Sequence, residues 1–485
     1  MRSSRFGVVV VGGGFSGTML AVQLLRRVPR LSVAVIDKGP VPGSGLAYST
    51  RYHCHLLNVP AGNMSALPEA PDHFLLWARA NYNPSVQATA FLPRPLYGRY
   101  LASLVEEAKG HDKFQWIEGE VSSLASTPAR TEVHLKDGTM VVAKALVLAV
   151  GNYPPANLSI PGLSEHSERY VRSPWSRAAL RGIPENGNVL LIGSGLTSVD
   201  VAVALKSEGF AGHIHILSRR GLMPQTHRTT GQWPEFWSER SPRTTRGLLR
   251  RVREEVRAAA QTGSDWRAVI DALRPVTQEI WQSLPLDERK RFLRHVRSYW
   301  EIHRHRIAPE IGETIADLLH EGQASLYAGR VTSYREHHNH VEVGLMDRKT
   351  RSQIFLRVDR VINCTGPDTD CRRIDDPLIK NLLAQGLARP DPLFLGLDVD
   401  SKGALIDLGG RASPSLYGIG PARKGLLWET IAVPEIRMQA SELAEHLALT
   451  LPLQIRNAET ATETTSLNLA PLALGERAHD EEPVT

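Results

Sequence analysis

A glycine-rich turn near the amino terminus restricts the possible folds of this chain more than any other feature. It follows the apolar run 8–11, reads Gly12-x-Gly14-x-x-Gly17 and leads into an apolar segment. In a strand–turn–helix unit, the first glycine permits a tight turn, the second lets the backbone approach a pyrophosphate and the third allows close helix–strand packing. The helix N-terminus adds free N–H groups. We therefore predict a dinucleotide site here, the alternative being a purely structural glycine-rich turn.

An acidic residue at the end of the next apolar run supports the dinucleotide interpretation. The run 33–36 ends in Asp37, about 20 residues beyond the third glycine, where a carboxylate accepts hydrogen bonds from ribose hydroxyls. The predicted contacts of this first site are Gly12, Gly14, Phe15, Ser16, Gly17, Asp37 and Lys38.

A second unit of the same kind begins at residue 188. The apolar run 189–192 precedes Gly193-x-Gly195, with Ser198 in the place of the third glycine. The next strand ends in Ser218-Arg219-Arg220 instead of an acid. An acid there suits a ribose 2′-hydroxyl, whereas a hydroxyl with arginines suits a 2′-phosphate. We therefore expect NADPH in preference to NADH at this site, unless these arginines form only a solvated turn.

Composition excludes several classes of protein. The 485 residues contain 57 Lys and Arg against 51 Asp and Glu, a net charge of +6 that is spread along the chain and does not indicate nucleic-acid binding. No apolar run is long enough to span a membrane. The first five residues run directly into the first strand and leave no room for a signal peptide, so we expect a cytoplasmic protein. The three cysteines form no Cys-x-x-Cys pair, and we expect neither a disulfide framework nor a metal site.

Residues 232–322 have helical periodicity and are rich in Arg and Trp. The segment is too long for a loop, so we predict an inserted helical lobe whose tryptophans are mostly core. It ends in His303-Arg304-His305-Arg306. This run is either a basic helix face or a site for a small anionic or planar polar substrate, because arginines make forked hydrogen bonds.

Taken together, these motifs resemble the flavoproteins that have two dinucleotide-binding domains. The glycine turns with Asp37, and the strand endings at Gly151 and at Cys364-Thr365-Gly366, carry the general resemblance. More specific blocks resemble bacterial FAD/NAD(P)-binding flavin monooxygenases, including a urate hydroxylase type, over about residues 6–447. These blocks are Gly45–Ser49, Leu57–Pro60, Ser218–Pro224, His303–Arg306, and Trp428-Glu429 with Glu435–Arg437.

The resemblance implies an α/β fold of two Rossmann-like domains, with an NAD(P) domain inserted in an FAD domain. The implied division is 1–170 and 371–450 for the FAD domain, 171–231 and 323–370 for the NAD(P) domain, 232–322 for the helical lobe and 451–485 for a disordered tail. Asn58, Gly151, Gly366 and Gly420 join the predicted cofactor contacts. Many FAD folds have a Gly-Asp pair at the last of these positions, whereas this chain has Gly420-Pro421, so we expect backbone N–H groups to serve there.

The implied activity is an FAD-dependent, NAD(P)H-dependent monooxygenase. It would use O2 to hydroxylate a small polar or anionic molecule through a C4a-hydroperoxyflavin, urate being one candidate and an amino-acid nitrogen an alternative. Tyr48, His55, Arg304 and Arg306 are the substrate candidates, and the sequence assigns no catalytic acid or base. Two rival hypotheses remain: a flavoprotein reductase of an electron carrier, and a non-catalytic flavin redox sensor. Oligomeric state is not predicted.

Overall fold

The structure is a computed structural model that describes residues 4–39, 41–127, 130–164, 166–176 and 178–467. Its first part alternates strands and helices and then forms a β-meander. These elements are β1 (Ser4–Val11), α1 (Phe15–Arg27), β2 (Val33–Asp37), α2 (Gly45–Tyr48), α3 (His73–Asn81), α4 (Arg94–Lys109), β3 (Phe114–Glu118), β4 (Val121–Ser126), β5 (Thr131–Leu135) and β6 (Met140–Leu148).

The middle part begins a second sheet and continues into the helical lobe. Its strands and first helix are β7 (Tyr170–Val171), β8 (Asn188–Ile192), α5 (Leu196–Ser207) and β9 (His213–Ser218). The lobe consists of α6 (Thr245–Gln261), α7 (Trp266–Ala272), α8 (Thr277–Ser283), α9 (Leu286–His295), α10 (Arg297–Arg304) and α11 (Pro309–His320). Of the five tryptophans between residues 232 and 322, only Trp281 is fully buried. The other four are half-buried, so the expectation that most of them belong to the core was wrong. The indole N–H groups of Trp233 and Trp237 donate to Glu255 and Glu279, because a tryptophan N–H needs a hydrogen-bond partner.

The last part completes both sheets. Its elements are β10 (Ala324–Glu336), β11 (Val341–Asp347), β12 (Gln353–Val358), β13 (Arg360–Asn363), α12 (Pro377–Ala384), β14 (Ala404–Ile406), β15 (Ala412–Gly418), α13 (Lys424–Leu427) and α14 (Val433–Leu467). Where a disordered tail is expected from residue 451, α14 continues to Leu467. Residues 468–485, the rest of that expected tail, lie outside the described residues.

The first sheet has the order β14-β15-β6-β1-β2-β3, with the β4–β5 hairpin attached to the start of β6. Its central strands pair in parallel. Val8, Val9 and Val10 of β1 are fully buried because helices cover both faces, which explains a continuous apolar run in place of alternation. Helix α14 packs on α1 on one face, and α12 packs near β4 on the other.

The second sheet has the order β12-β11-β10-β9-β8-β13-β7. Strands β7, β13, β8 and β9 and the first half of β10 run in parallel, and β10 then turns back through β11 and β12 as an antiparallel meander. The predicted α/β class with two Rossmann-like units is confirmed. Within the described residues, no helix combines the length and apolar character that crossing a bilayer requires.

Candidate functional site

A cavity of about 1730 Å³ lies where the carboxyl ends of both parallel sheets and the helical lobe meet. In open α/β sheets, ligands bind beyond the carboxyl ends of the strands. Most predicted site residues line this cavity: Gly12, Gly14, Phe15, Ser16, Asp37, Lys38, Tyr48, Asn58, Gly151, Gly193, Gly195, Ser218, Arg219, Arg220, Arg304, Arg306 and Gly366. Four do not, namely Gly17, His55, Ser198 and Gly420.

The first glycine turn is built by the strands on either side of β1. The N–H of Gly12 donates to the Ile36 carbonyl oxygen at 2.8 Å, and the N–H of Ala149 donates to the Val11 carbonyl oxygen at 2.8 Å. Gly12 has φ +104°, and a Cβ atom there would lie 2.3 Å from the Ala149 carbonyl oxygen. Only glycine therefore fits this position.

The second turn repeats this geometry. The N–H of Gly193 donates to the Leu217 carbonyl oxygen at 2.7 Å, and that of Cys364 donates to the Ile192 carbonyl oxygen at 2.8 Å. Gly193 has φ +119°, and a Cβ atom there would lie 2.3 Å from the Cys364 carbonyl oxygen. Both turns thus expose a helix N-terminus to the cavity through the same backbone contacts.

The third positions of the two motifs act in packing. A Cβ on Gly17 would lie 1.9 Å from the Gly12 carbonyl oxygen, so Gly17 allows α1 to approach β1 but does not reach the cavity. Ser198 is fully buried, and its hydroxyl has no hydrogen-bond partner within the part of the chain that the structure describes. The assignment of these two residues as cofactor contacts is therefore not supported, because each lies beneath the turn instead of at its surface.

Asp37 lies at the end of β2 and faces the cavity. Burial raises the pKa of its carboxyl group, while backbone N–H groups of Gly13, Lys38 and Gly39 act in the opposite direction. Lys38 forms an ion pair with Glu120 at the surface, with 3.4 Å between Nζ and Oε1. The closely packed glycine cradle, the helix N-terminus and this carboxylate together fit the diphosphate and ribose of FAD.

The loop after β2 covers the first turn. The N–H of Gly43 donates to the Gly13 carbonyl oxygen at 3.0 Å, and Gly45 lies against Gly14. Tyr48 lines the cavity and packs on Tyr97, with 4.7 Å between ring centroids. The loop is therefore an ordered wall of the cavity.

His55 connects the two nucleotide-binding units instead of facing a substrate. Its Nδ1 lies 2.9 Å from the Thr50 hydroxyl and its Nε2 lies 3.0 Å from the Asp200 carbonyl oxygen. Burial lowers the pKa of the ring. The prediction that His55 contacts substrate is corrected, since both ring nitrogens are occupied and the residue does not line the cavity.

An ion pair that sequence reasoning missed lies beside His55. Arg94, at the start of α4, donates from Nη1 and Nη2 to the two carboxylate oxygens of Asp200 on α5, at 2.8 and 2.9 Å. Its Nε donates to the Leu56 carbonyl oxygen. Nothing in the local sequence signals this pairing, because the partners are 106 positions apart.

Beyond β9, a basic surface faces the cavity at the second unit. Ser218 accepts a hydrogen bond from the N–H of Gly221 at 3.0 Å, and the Arg220 guanidinium lies 4.8 Å from the Tyr299 ring centroid. Arg330 also lines the cavity and was missed by sequence reasoning. It lies two residues beyond Ala328, which pairs with Ser218 across the strands. Among the described residues, Arg219 and Arg330 have no carboxylate partner, which suits a 2′-phosphate.

The two arginines predicted to bind an anionic substrate are already paired. Arg304 donates to Glu429 Oε2 from Nε at 3.0 Å and from Nη2 at 2.7 Å, and Arg306 forms an ion pair with Asp271. Both line the cavity, but their charges are balanced by carboxylates of this chain. Arg304 and Arg306 therefore offer no unpaired charge to an anionic substrate, contrary to what the sequence led us to expect.

His227 connects the helical lobe to the loop after β2. Its Nε2 lies 3.0 Å from the Asn58 carbonyl oxygen, and its backbone N–H donates to Ile307 next to the histidine–arginine run. Burial, with Arg306 nearby, lowers the pKa of His227 to about 4. The ring is therefore neutral at physiological pH.

The closing turn at Gly420 does not offer its N–H group to the cavity, as was expected. That N–H donates to Gln439 Oε1 at 3.2 Å, and a Cβ on Gly420 would lie 2.6 Å from Ser16 Oγ. Pro421 and Lys424, just after the turn, line the cavity instead.

Comparison with known proteins agrees with this geometry. Residues 9–153 match the family model described as FAD-NAD(P)-binding. The FAD-binding monooxygenase ktnD of Aspergillus niger is 24% identical over 245 residues, which is 48% of this chain and 38% of that protein. The chain therefore matches well under half of the length of this relative.

Solved structures extend the fold similarity to nearly the whole chain. A cadaverine monooxygenase of desferrioxamine biosynthesis from Erwinia amylovora, solved with FAD, has a TM-score of 0.66 at 15% identity, covering 92% of this chain and 95% of that one. An ornithine hydroxylase from Pseudomonas aeruginosa has a TM-score of 0.64 at 17% identity, covering 92% and 100%. An L-lysine 6-monooxygenase from Pseudomonas syringae has a TM-score of 0.64 at 16% identity, covering 92% and 99%.

At these identities the structural similarity shows the fold, which nearly the whole chain shares with these three enzymes. Residues 9–153, which contain the first glycine turn, are similar to the FAD-NAD(P)-binding family model.

Proposed function

We propose that this protein is an FAD-dependent, NADPH-using monooxygenase that hydroxylates the nitrogen of an aliphatic primary amine, either an amino acid or a diamine. The observation that carries the proposal is the single cavity into which both nucleotide turns and the polar end of the helical lobe open. A reductant site, a flavin site and a substrate site in one enclosed volume are what this chemistry requires. The whole-length fold similarity to amine hydroxylases supports the choice of nitrogen.

The residues that would hold the flavin are those of the first turn, Asp37, and the loop wall that contains Tyr48 and Asn58. Bound FAD supplies the redox chemistry, passing electrons from NADPH to oxygen so that one oxygen atom reaches the substrate. Arg219, Arg220 and Arg330 would hold the 2′-phosphate of NADPH.

The chain itself contributes orientation and the exclusion of water. Arg94 and Asp200 clamp α4 of the first unit to α5 of the second, and His55 adds a second link. This fixes the distance between the two nucleotide turns before any ligand binds. The loop that carries Tyr48 walls the cavity on one side, which limits the access of water to the reaction.

Urate, the first substrate suggested by the resemblance, is less well supported than an amine. The case for it depended on free arginines, and Arg304 and Arg306 are both paired with carboxylates. The three enzymes whose solved structures are named above are a cadaverine monooxygenase, an ornithine hydroxylase and an L-lysine 6-monooxygenase. Cadaverine, ornithine and lysine all carry a primary amine.

A disulfide reductase is not favoured by the thiols. Cys54, Cys364 and Cys371 are all free, and burial raises the pKa of Cys364 and raises that of Cys371 to about 11. A redox cysteine pair needs an accessible thiolate beside its partner, and none of the three meets this requirement.

The test is to load the purified protein with FAD and NADPH and to measure oxygen uptake and hydroxylamine product with L-ornithine, L-lysine, cadaverine and urate. We expect product from at least one amine and none from urate. NADPH oxidation that follows only an added electron carrier, with no hydroxylamine from any amine, would instead identify a reductase. FAD that NADPH never reduces would identify the redox sensor.

A further inference from the structure

The backbone is strained at a residue on the cavity wall. Trp428 has φ +60° and ψ −65°, and the N–H of Glu429 donates to the Leu427 carbonyl oxygen at 2.7 Å. These three residues form a γ-turn of the rare type with positive φ at its centre, which is strained for any residue with a side chain. Strain of this kind persists where the surroundings over-determine the conformation, and it concentrates at functional sites.

The surroundings of this turn hold it firmly. The Trp428 ring stacks on Trp281 with 4.9 Å between centroids and meets the edge of Phe292 at 5.2 Å. Two residues further on, the Thr430 hydroxyl donates to the Gly420 carbonyl oxygen at 2.8 Å and accepts from the Gln439 amide at 2.8 Å. The turn therefore directs the next residue, Glu429, in a fixed orientation.

Glu429 is held by one carboxylate oxygen only. Its Oε2 accepts both hydrogen bonds from Arg304, whereas its Oε1 is buried and has no hydrogen-bond partner among the described residues, although the residue lines the cavity. The whole residue is 5% exposed. A buried carboxylate oxygen without a donor is unfavourable, so its presence on a cavity wall indicates a ligand that supplies the donor.

Lys424 lies five positions earlier on the same wall. It lines the cavity, and its Nζ is 5.2 Å from the Trp428 ring centroid. In the part of the chain that the structure describes, it has no carboxylate within ion-pair distance. Lys424 is half-buried. A partly desolvated cation without an anion is also unfavourable, so the wall presents an unmatched cation near an unmatched carboxylate oxygen.

We propose that Glu429 and Lys424 recognise the head group of an α-amino acid, with Glu429 Oε1 accepting from its ammonium and Lys424 binding its carboxylate. The inference rests on the proposed function and narrows its substrate from amines in general to amino acids. A zwitterion supplies a hydrogen-bond donor to Glu429 Oε1 and an anion to Lys424 at once, whereas a diamine leaves Lys424 unmatched. The ammonium also favours the ionised form of Glu429, whose pKa burial raises.

The test compares ligands that differ by one group. Cadaverine is L-lysine without its carboxylate, putrescine is L-ornithine without its carboxylate, and Nα-acetyl-L-lysine lacks the α-ammonium. Binding of each to the FAD-loaded protein is measured by calorimetry, separately from hydroxylamine formation. We expect at least one amino acid to bind about tenfold or more tightly than its diamine, the effect of one hydrogen bond to a charged group.

Two variants test whether Lys424 binds the carboxylate and Glu429 the ammonium of the amino acid. Lys424→Met should weaken amino-acid binding about tenfold and leave diamine binding unchanged, and Glu429→Gln should weaken the amino acid but not its Nα-acetyl derivative. Glu435→Gln is the matched control, because Glu435 also pairs with Arg304 but does not line the cavity. It should keep the preference for the amino acid over the diamine. Lys402→Met repeats the lysine substitution at an exposed position.

Several outcomes would overturn the inference. The inference is wrong if diamines bind as tightly as the amino acids. It is also wrong if Lys424→Met weakens the binding of amino acids and of diamines equally. Hydroxylation of cadaverine but not of lysine or ornithine would leave the proposed function standing and remove this inference. If amino-acid binding depends on Lys424 and Glu429 but no amine yields a hydroxylamine, the recognition site is supported and the proposed function is wrong. If no amine binds, both are wrong.

Discussion

Arg94 and Asp200 join the two nucleotide-binding units through a forked ion pair, with N–O distances of 2.8 and 2.9 Å. Their side chains are only 12% and 11% exposed, and both line the cavity. A guanidinium matched to a carboxylate in this way fixes orientation as well as distance. This contact between α4 and α5 therefore helps to fix the placement of the two glycine turns relative to each other, together with His55.

Removing one partner of the Arg94–Asp200 pair should destabilise the folded protein. We expect Arg94→Gln to lower the free energy of unfolding by about 3 kcal/mol, because it leaves a nearly buried carboxylate without its counterion. It should also slow the reduction of bound FAD by NADPH. Urea denaturation and stopped-flow absorbance measure the two effects.

The exposed pair Arg51–Glu208 joins the same two units and serves as a control. Glu208→Gln should change neither stability nor the rate of flavin reduction measurably, since exposed ion pairs contribute little. If Arg94→Gln leaves the free energy of unfolding and the rate of flavin reduction as unchanged as Glu208→Gln does, the Arg94–Asp200 pair does not position the two units.

The matching glycine turns allow the two nucleotide sites to be disabled separately. Gly12→Ala should yield protein without FAD, and Gly193→Ala should retain FAD but lose NADPH binding, because each new Cβ would meet a backbone carbonyl oxygen at 2.3 Å. The FAD content of the purified protein and NADPH titration measure these outcomes. Gly231→Ala, where a Cβ meets nothing within 4 Å, should do neither. Loss of FAD from the Gly193 variant would show that the assignment of the two sites is wrong.

The basic surface beyond β9 should determine the choice of nicotinamide cofactor. Arg219→Ala and Arg330→Ala should each weaken NADPH binding about tenfold and leave NADH binding unchanged, because each removes a charged donor to the 2′-phosphate. Arg335→Ala, an exposed arginine paired with Glu342, is the matched control. Equal losses for both cofactors would contradict this specificity.

Lys424 should make amino-acid binding dependent on pH. Burial, with Arg297 nearby, lowers its pKa to about 8, although Glu301 and Glu429 act in the opposite direction. Its ammonium is present below pH 8 and is lost above it, so affinity for an amino acid should fall as the pH rises through about 8. Calorimetric titrations between pH 7 and 9.5 would measure the fall, and Lys424→Met should remove it. A fall that persists in the variant would assign the titration to another group.

His215 should make the protein less stable in acid. Burial, with His213 nearby, lowers its pKa to about 4 from the usual 6.5 of histidine. Between these values the unfolded chain binds a proton that the folded chain does not, so the free energy of unfolding falls as the pH decreases from 6.5. Denaturation at pH 7 and pH 5 would measure the difference, which His215→Gln should reduce. An unchanged difference in the variant would exclude His215 as a cause.

Local patterns were sufficient to predict the framework of the site. Strand, glycine turn, helix and second strand follow one another within about 30 residues in each unit, and their identity depends on backbone geometry that only certain residues permit. Gly12, Asp37 and Gly193, which this pattern predicts to contact a cofactor, line the cavity. Ser198, predicted from the same pattern, and Gly420, implied by the resemblance, do not line it, because a motif defines positions in a turn but not which side of the turn faces a ligand.

The residues that complete the cavity depend on contacts between distant parts of the chain. Arg94 meets Asp200, and Arg304 meets Glu429, only after distant parts of the chain have packed together. Arg330 reaches the cavity near Ser218 because β10 pairs with β9. The sequence by itself determined two dinucleotide folds and the positions of their turns, because these follow from short-range sterics. Only the tertiary structure decided that Glu429 pairs with Arg304 while Lys424, among the described residues, has no carboxylate partner, because ion pairing depends on distances that sequence separation does not encode.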